Sequence, residues 1–158
     1  MDNIVASQGI GEIMFKNIVG ILFVGFIAQA AFAGPALDVN KKLVHDFYDL
    51  AFNQHEPKKA AERYLSEEYI QHNPHVATGR KAFIEAFKDQ KDDGSKTVFK
   101  RFIAEEDLVV LHSHKLAHPG DRGVAGIDIF RVKAGKITEH WDVNQVIPEN
   151  PKNNNTMF

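Results

Sequence analysis

Asp128, His140 and Asp142 are charged or titratable residues set inside two runs that otherwise read as buried sheet. The runs, from Gly123 to Val132 and from Ile137 to Val143, are rich in β-branched and aromatic residues. They flank a short polar turn in which Gly135 can take the positive φ that a tight hairpin needs. Ionisable groups buried without partners are costly, so a polar-lined cavity is expected beside this hairpin. Period-two alternation places Thr138, His140, Asp142 and Asn144 on one face, with Ile137, Glu139, Trp141 and Val143 on the other. A histidine beside a carboxylate suits general acid/base work near neutral pH. An aspartic acid kept protonated in a dry pocket could instead donate to a developing enolate. A buried structural Asp–His pair with no catalytic role is the alternative.

The other candidates come from two more strands. His72 and Asn73 end the short run from Tyr69 to Pro74, where side chains can enter a cavity and where proline stops the hydrogen-bond ladder. His112 and His114, two residues apart, point to the same side of their strand, as a metal site or a pocket wall requires. With His72, His118 or His140 they could ligate zinc or iron, or they could simply line the pocket. Nucleophilic catalysis has little support: Ser66, Ser95 and Ser113 lack a nucleophile-elbow context, and no glycine-rich phosphate loop is present.

These residues must be held by an ordinary globular chain. The 158 residues are 44% hydrophobic and 25% charged, with a formal net charge of -2 and no cysteine. That composition suggests one domain, gives no basic field for nucleic acid, and excludes disulfides, thiolate metal sites and cysteine nucleophiles. Residues 1–33 read as a secretory signal, with a basic stretch at Lys16, an apolar core from Ile18 to Ala28 and an Ala-x-Ala site at Ala31 to Ala33. Met14 would supply a compact start to that signal. The apolar core falls short of the ~20 residues a spanning helix needs, so no stable membrane span is expected after cleavage. The expected location is periplasmic or secreted, with a domain at 34–150 and a loose tail at 151–158.

Within that domain, Leu43, Phe47, Leu50 and Ala51 recur at helical spacing through Asn53, after a possible cap at Asp38. A short second helix opens at Pro57 and carries Ala60, Ala61, Tyr64 and Leu65; Ser66 to Glu68 reads as a turn. Thr78 and Gly79 introduce a third helix with Ala82, Phe83, Ala86 and Phe87 on one face. From Ser95 the pattern becomes strands: Ser95 to Ala104, Leu108 to Ala117, then the hairpin. In the first of these, Val98 and Phe102 alternate against Phe99 and Ile103. Helices followed by strands predict an α+β domain, with helices packed on one face of a mostly antiparallel sheet.

In this order the motifs resemble the SnoaL-like polyketide cyclases of the nuclear transport factor 2-like (NTF2-like, cystatin-like) superfamily. The residues that carry the likeness are Tyr69 to Pro74, Gly79 with Ala82-Phe83, Asp107 to His114, Asp128 to Val132, and Gly135 to Ile137 leading into Glu139 to Val143. The resemblance implies a cone-shaped fold, a curved sheet wrapping helices around a pocket, and a homodimer formed through the outer sheet face. Ketosteroid isomerases share the superfamily, and Ile127 to Arg131 is similar to the strand on which they carry a pocket Asp, which would aim Asp128 inward. Where they place a carboxylate base this chain has His72 and Asn73, and no tyrosine partner is evident. The implied activity is cofactor-free proton transfer on a small apolar carbonyl compound, by aldol-type cyclisation, isomerisation or a lyase step. His72 or Asp128 would be the base; His140 would relay the proton; Asn73, His112, His114 and Asp142 would line the pocket. A non-catalytic small-ligand-binding module of the same fold, or a histidine metalloenzyme, are the alternatives.

Overall fold

Val44, Phe47, Leu50 and Ala51 form one apolar stripe at helical spacing, and all four are buried. In the structure, a computed structural model that describes residues 24–158, this stripe lies at the end of helix α1 (Val24–Tyr48) and in the π-helical segment Asp49–Asn53 that continues it. Most of the expected signal segment, residues 1–23, lies outside the described residues. No helix among the described residues is long and apolar enough to cross a membrane.

The wider π turn replaces the regular helix expected through Asn53. It is pinned to the sheet by Asn53, whose side chain accepts from the Thr97 amide at 2.8 Å and donates to the Thr97 carbonyl at 3.1 Å. Helix α2 (Pro57–Tyr64) starts at a proline whose missing N–H costs nothing in the first turn, and buries Ala60 and Ala61. Helix α3 (Arg80–Phe87) follows Gly79, which at φ +106° takes a backbone conformation that side-chain-bearing residues avoid. The segment between β1 and α3 is held back on the sheet by Gly79 N–H donating to the Tyr69 carbonyl at 2.7 Å.

The strands are β1 (Leu65–Gln71), β2 (Lys96–Glu105), β3 (Leu108–Leu116), β4 (Val124–Lys133) and β5 (Lys136–Val146), in spatial order β1-β5-β4-β3-β2. Only β1 and β5 run parallel; the other pairs are antiparallel. The β4–β5 hairpin closes on Ala134 and Gly135, both with positive φ, which matches the strand twist as a two-residue turn should. The expected α+β architecture is therefore present. Ser66 to Glu68, expected as a turn, is instead part of β1, with Glu67 and Glu68 exposed along an irregular stretch of its pairing with β5.

Three register shifts bend the sheet: between Leu65 and Ile70, between Phe99 and Arg101, and between Arg131 and Val132 opposite Thr138. The latter two are bulges with one unpaired residue each, which sharpens the local twist and curves the sheet around the helices. Each also reverses alternation. Phe99 and Phe102 therefore both pack toward the core while Ile103 is exposed, contrary to strict alternation. Ile137 and His140 are likewise both buried. The core is centred on Phe47, whose ring meets Phe83 at 5.7 Å and Phe130 at 6.0 Å between centroids, in tilted and edge-on arrangements.

Candidate functional site

Period-two alternation along β4 turns Asp128, Phe130 and Val132 inward, and all three are buried. Asp128 is paired in register with Asp142, and Phe130 with His140, so β5 presents His140 and Asp142 to the same side. Along β3 the inward set is Val109, Leu111, Ser113 and Lys115. From β1, Gln71 stands opposite His140. These side chains meet the helices around a cavity of about 250 Å³. Its walls at the helix side are Phe47, Phe52, Phe83 and Phe87; its floor holds Asp128, His140, Lys115 and Asp142.

Asp128 is only 2% exposed, and its Oδ1 has three neighbours. The Tyr48 hydroxyl lies at 3.4 Å, Lys115 Nζ at 3.3 Å and His140 Nε2 at 3.3 Å. Lys115 Nζ is also 3.2 Å from Oδ2, but as an ion-pair contact only: its approach lacks hydrogen-bond geometry, and Oδ2 is buried without a hydrogen-bond partner. Lys115 donates at 2.9 Å to Asn144, which in turn donates to Asp142 at 2.7 Å. Asp142 also accepts two hydrogen bonds from the Asn73 amide, at 2.8 and 3.0 Å. His140 Nδ1 lies 2.9 Å from Gln71 Oε1, and Gln71 donates to the Tyr69 hydroxyl at 3.0 Å.

Both tyrosines keep their protons. Burial pushes the Tyr48 hydroxyl well above the ordinary phenol range, and the negative charges of Asp128 and Asp142 add to it. Tyr69 is raised in the same way by burial and by the same two carboxylates. The site therefore combines a buried carboxylate with a free lone pair, a phenolic donor in Tyr48, an ammonium and an imidazole, against an apolar wall. Such a set can take a proton from carbon and stabilise the negative oxygen that results.

Four of the residues singled out in the sequence line the cavity: Asn73, Asp128, His140 and Asp142. Three do not. His72 follows Gln71, which holds the inward position opposite His140, so the His72 ring emerges on the outer sheet face. There it stacks on Trp141 at 4.7 Å and meets Glu139 at 2.9 Å. His112 and His114 have the parity opposite to Ser113 and Lys115 and also face outward. Their rings lie 5.4 and 4.5 Å from Phe158, and His114 Nε2 donates to the Arg122 carbonyl at 2.7 Å. The tail expected to be loose thus brings its Phe158 onto the sheet. Thr138, at the bulge, joins Glu139 on the outer side. Among the described residues no three His, Asp or Glu side chains are arranged to hold a metal ion.

Tyr48, Tyr69, Gln71 and Lys115 are the residues that the sequence reading missed. A tyrosine partner for Asp128 is present after all, in Tyr48. Lys115 carried a usable signal: it shares the parity of Leu111, which pairs directly with Asp128.

A family model described as the SnoaL-like domain matches residues 44–140. No curated protein matches the chain. Among solved structures, a protein provisionally named a ketosteroid isomerase from Kribbella flavida DSM 17836 superposes with a TM-score of 0.60 at 17% identity, covering 74% of this chain and 85% of its own. An NTF2-like protein of unknown function from Mesorhizobium loti gives 0.56 at 21% identity, covering 69% and 93%. A provisionally named SnoaL-like polyketide cyclase from Jannaschia sp. CCS1 gives 0.55 at 16% identity, covering 70% and 88%. At these identities the superpositions speak for the fold alone, and together with the match over residues 44–140 they make this chain a member of the SnoaL-like domain family, with an NTF2-like fold.

Proposed function

We propose that this protein removes a proton alpha to the carbonyl of a small, largely apolar compound without a cofactor, in an aldol-type cyclisation, isomerisation or related lyase step. The observation that carries the reading is the buried Asp128, with Oδ2 free of hydrogen bonds beside an aromatic cavity. In the proposed step the substrate C–H bond breaks, its proton passes to Asp128, and its electron pair moves into the enolate. The Tyr48 hydroxyl and the Lys115 ammonium are the donors nearest to the base and would carry the enolate oxygen. Asp142, already held by Asn73 and Asn144, positions Lys115 through Asn144 and does not itself act as base. The cavity, at about 250 Å³, lies below the usual range of roughly 300–1,000 Å³ for drug-sized ligands. The substrate is accordingly a compact molecule.

The test is exchange of α-protons in D2O, followed by mass spectrometry over a panel of small cyclic and aromatic ketones. Wild-type protein is expected to exchange at least one of them, and Asp128→Asn to lose about 100-fold or more of that rate. The second reading, a binding module, draws on the three groups already gathered on Asp128 Oδ1, an arrangement that a purely structural buried pair would share. Ketones that bind without exchange above the buffer rate would favour it.

Residues 1–33 are proposed to be a signal cleaved after Ala33, giving a periplasmic or secreted protein. A homodimer is proposed through the outer sheet face, supported by exposed Ile103, Ile127 and Val143.

A further inference from the structure

The Gln71 side chain bonds to Tyr69, Asn73 and His140 rather than to Asp128, and it is neutral. Its hydrogen bonds nonetheless constrain where protons can sit. Gln71 Oε1 lies 2.9 Å from the backbone nitrogen of Asn73, which can only donate. The orientation of the amide is therefore fixed: turned over, its NH2 would face the Asn73 N–H and leave both donors unsatisfied. The same Oε1 lies 2.9 Å from His140 Nδ1. An amide oxygen only accepts, so Nδ1 must carry a hydrogen. The other end of the amide agrees with this, since its nitrogen donates to the Tyr69 hydroxyl at 3.0 Å.

With Nδ1 protonated, the second ring nitrogen decides the charge of the pair. His140 Nε2 faces Asp128 Oδ1 at 3.3 Å, in a place where the histidine side chain is 10% and the aspartate 2% exposed. A neutral ring with a bare Nε2 would set its lone pair against an ionised carboxylate in a setting that little water reaches. One proton must therefore lie between the two groups. The Tyr48 hydroxyl and Lys115 Nζ also point donors at Oδ1, which favours leaving that proton on the ring and the carboxylate ionised.

We propose that Gln71 is a positioning residue that locks His140 with Nδ1–H, so that His140 and Asp128 stand as an imidazolium–carboxylate pair holding one shared proton. The assignment stands on geometry alone. Its consequence for catalysis rests on the function proposed above: Asp128 Oδ2 stays a base, and when it takes the substrate proton the imidazolium beside it offsets the charge of the enolate. The same amide, by accepting from Asn73 N–H, ties the tautomer to the segment that brings Asn73 to Asp142.

The ring nitrogens can be read directly by long-range 1H–15N correlation spectra of 15N-labelled full chain near pH 7. The His140 resonance is assigned by its disappearance in His140→Gln. Both nitrogens of His140 are expected at protonated positions in the wild type. Gln71→Leu, which removes the acceptor, is expected to move Nδ1 to the bare-nitrogen range and leave Nε2–H on Asp128. Gln71→Glu, which keeps an acceptor oxygen, is expected to retain Nδ1–H. A wild-type spectrum with Nδ1 bare would overturn the proposal without any variant having to fold. So would a folded Gln71→Leu protein with Nδ1–H unchanged. Neither result depends on turnover, so failure of the enzymatic reading and failure of this assignment are separable.

Discussion

Gly126→Ala tests the packing that brings Lys115 to Asp128. Gly126 lies on β4, paired with Ser113 on one side and Asn144 on the other. A methyl group there would sit 2.8 Å from Lys115 Cε, 2.9 Å from Ser113 Oγ and 3.0 Å from Asn144 Oδ1. All three distances are shorter than ordinary contact, and two of them, to Lys115 and Asn144, involve the chain of groups that links Asp128 to Asp142. The three can yield to different degrees. Lys115 is partly exposed and its end can swing outward, but Ser113 is fully buried. Overpacking of this kind costs about 1–3 kcal/mol. The lower chain entropy of the unfolded alanine variant returns about 0.4–1 kcal/mol. A net loss of about 1–2 kcal/mol is expected, read as a urea midpoint lower by roughly 0.5–1 M. Ser113→Ala removes one of the contacts and a hydroxyl that has no hydrogen-bond partner, so the double variant should recover part of the loss. A single variant as stable as the parent, or a double variant with no recovery, would show that Gly126 is not the space Lys115 crosses.

Two further outcomes follow from the ionisation of the site and its surroundings. Because the Tyr48 hydroxyl is held well above its ordinary value of 10.0, its contribution to stability is complete below that pH and is lost as pH climbs toward the raised folded value. Tyr48→Phe should therefore flatten the alkaline decline in melting temperature above about pH 10, and an unchanged decline would contradict the burial of that hydroxyl. Glu139 moves the opposite way: hydrogen bonds from Arg131 first and then His72 hold its carboxyl below the ordinary value of 4.5. Its stabilisation is present above that pH and disappears as pH falls through the folded value. The stability gap between wild type and Glu139→Gln should be at most about 1 kcal/mol at pH 7 and narrow as pH falls below the ordinary value of 4.5; a gap that widens in acid would refute the sign.

The elements were legible because their apolar residues recur with the periods of helix and strand. The stripe of Val44, Phe47, Leu50 and Ala51 and the alternation in β4 are decided by local spacing, and the structure keeps both. Asp128, His140 and Asp142 were legible for the same reason, since they lie in one regular stretch of the β4–β5 ladder. Where a bulge intervenes, alternation stops being informative. It misplaced Thr138, and it set Phe99 and Phe102 on opposite faces when both pack inward. The histidines were attractive by residue type, but type does not set parity: Gln71 and Lys115, less conspicuous neighbours, hold the inward positions beside His72 and His114. Tyr48 was visible as part of a helix face, yet its meeting with Asp128, 80 residues away, depends on how α1 docks on the sheet.

The bulge at Thr138 is also what allows one strand to serve both core and site. With unbroken alternation, a buried Ile137 would bring Glu139 and Trp141 inward with it, and His140 and Asp142 would face outward. The charge of Glu139 would then enter the core, away from Arg131 and His72, which hold it on the outer face. One unpaired residue resolves the conflict. Ile137 closes the apolar end against Leu65, and three residues later the same strand delivers His140 to Gln71 and Asp128. The cavity's polarity is therefore a consequence of register: pairing Thr138 into the ladder instead of bulging it out would exchange the faces of everything beyond it and turn His140 and Asp142 away from Asp128.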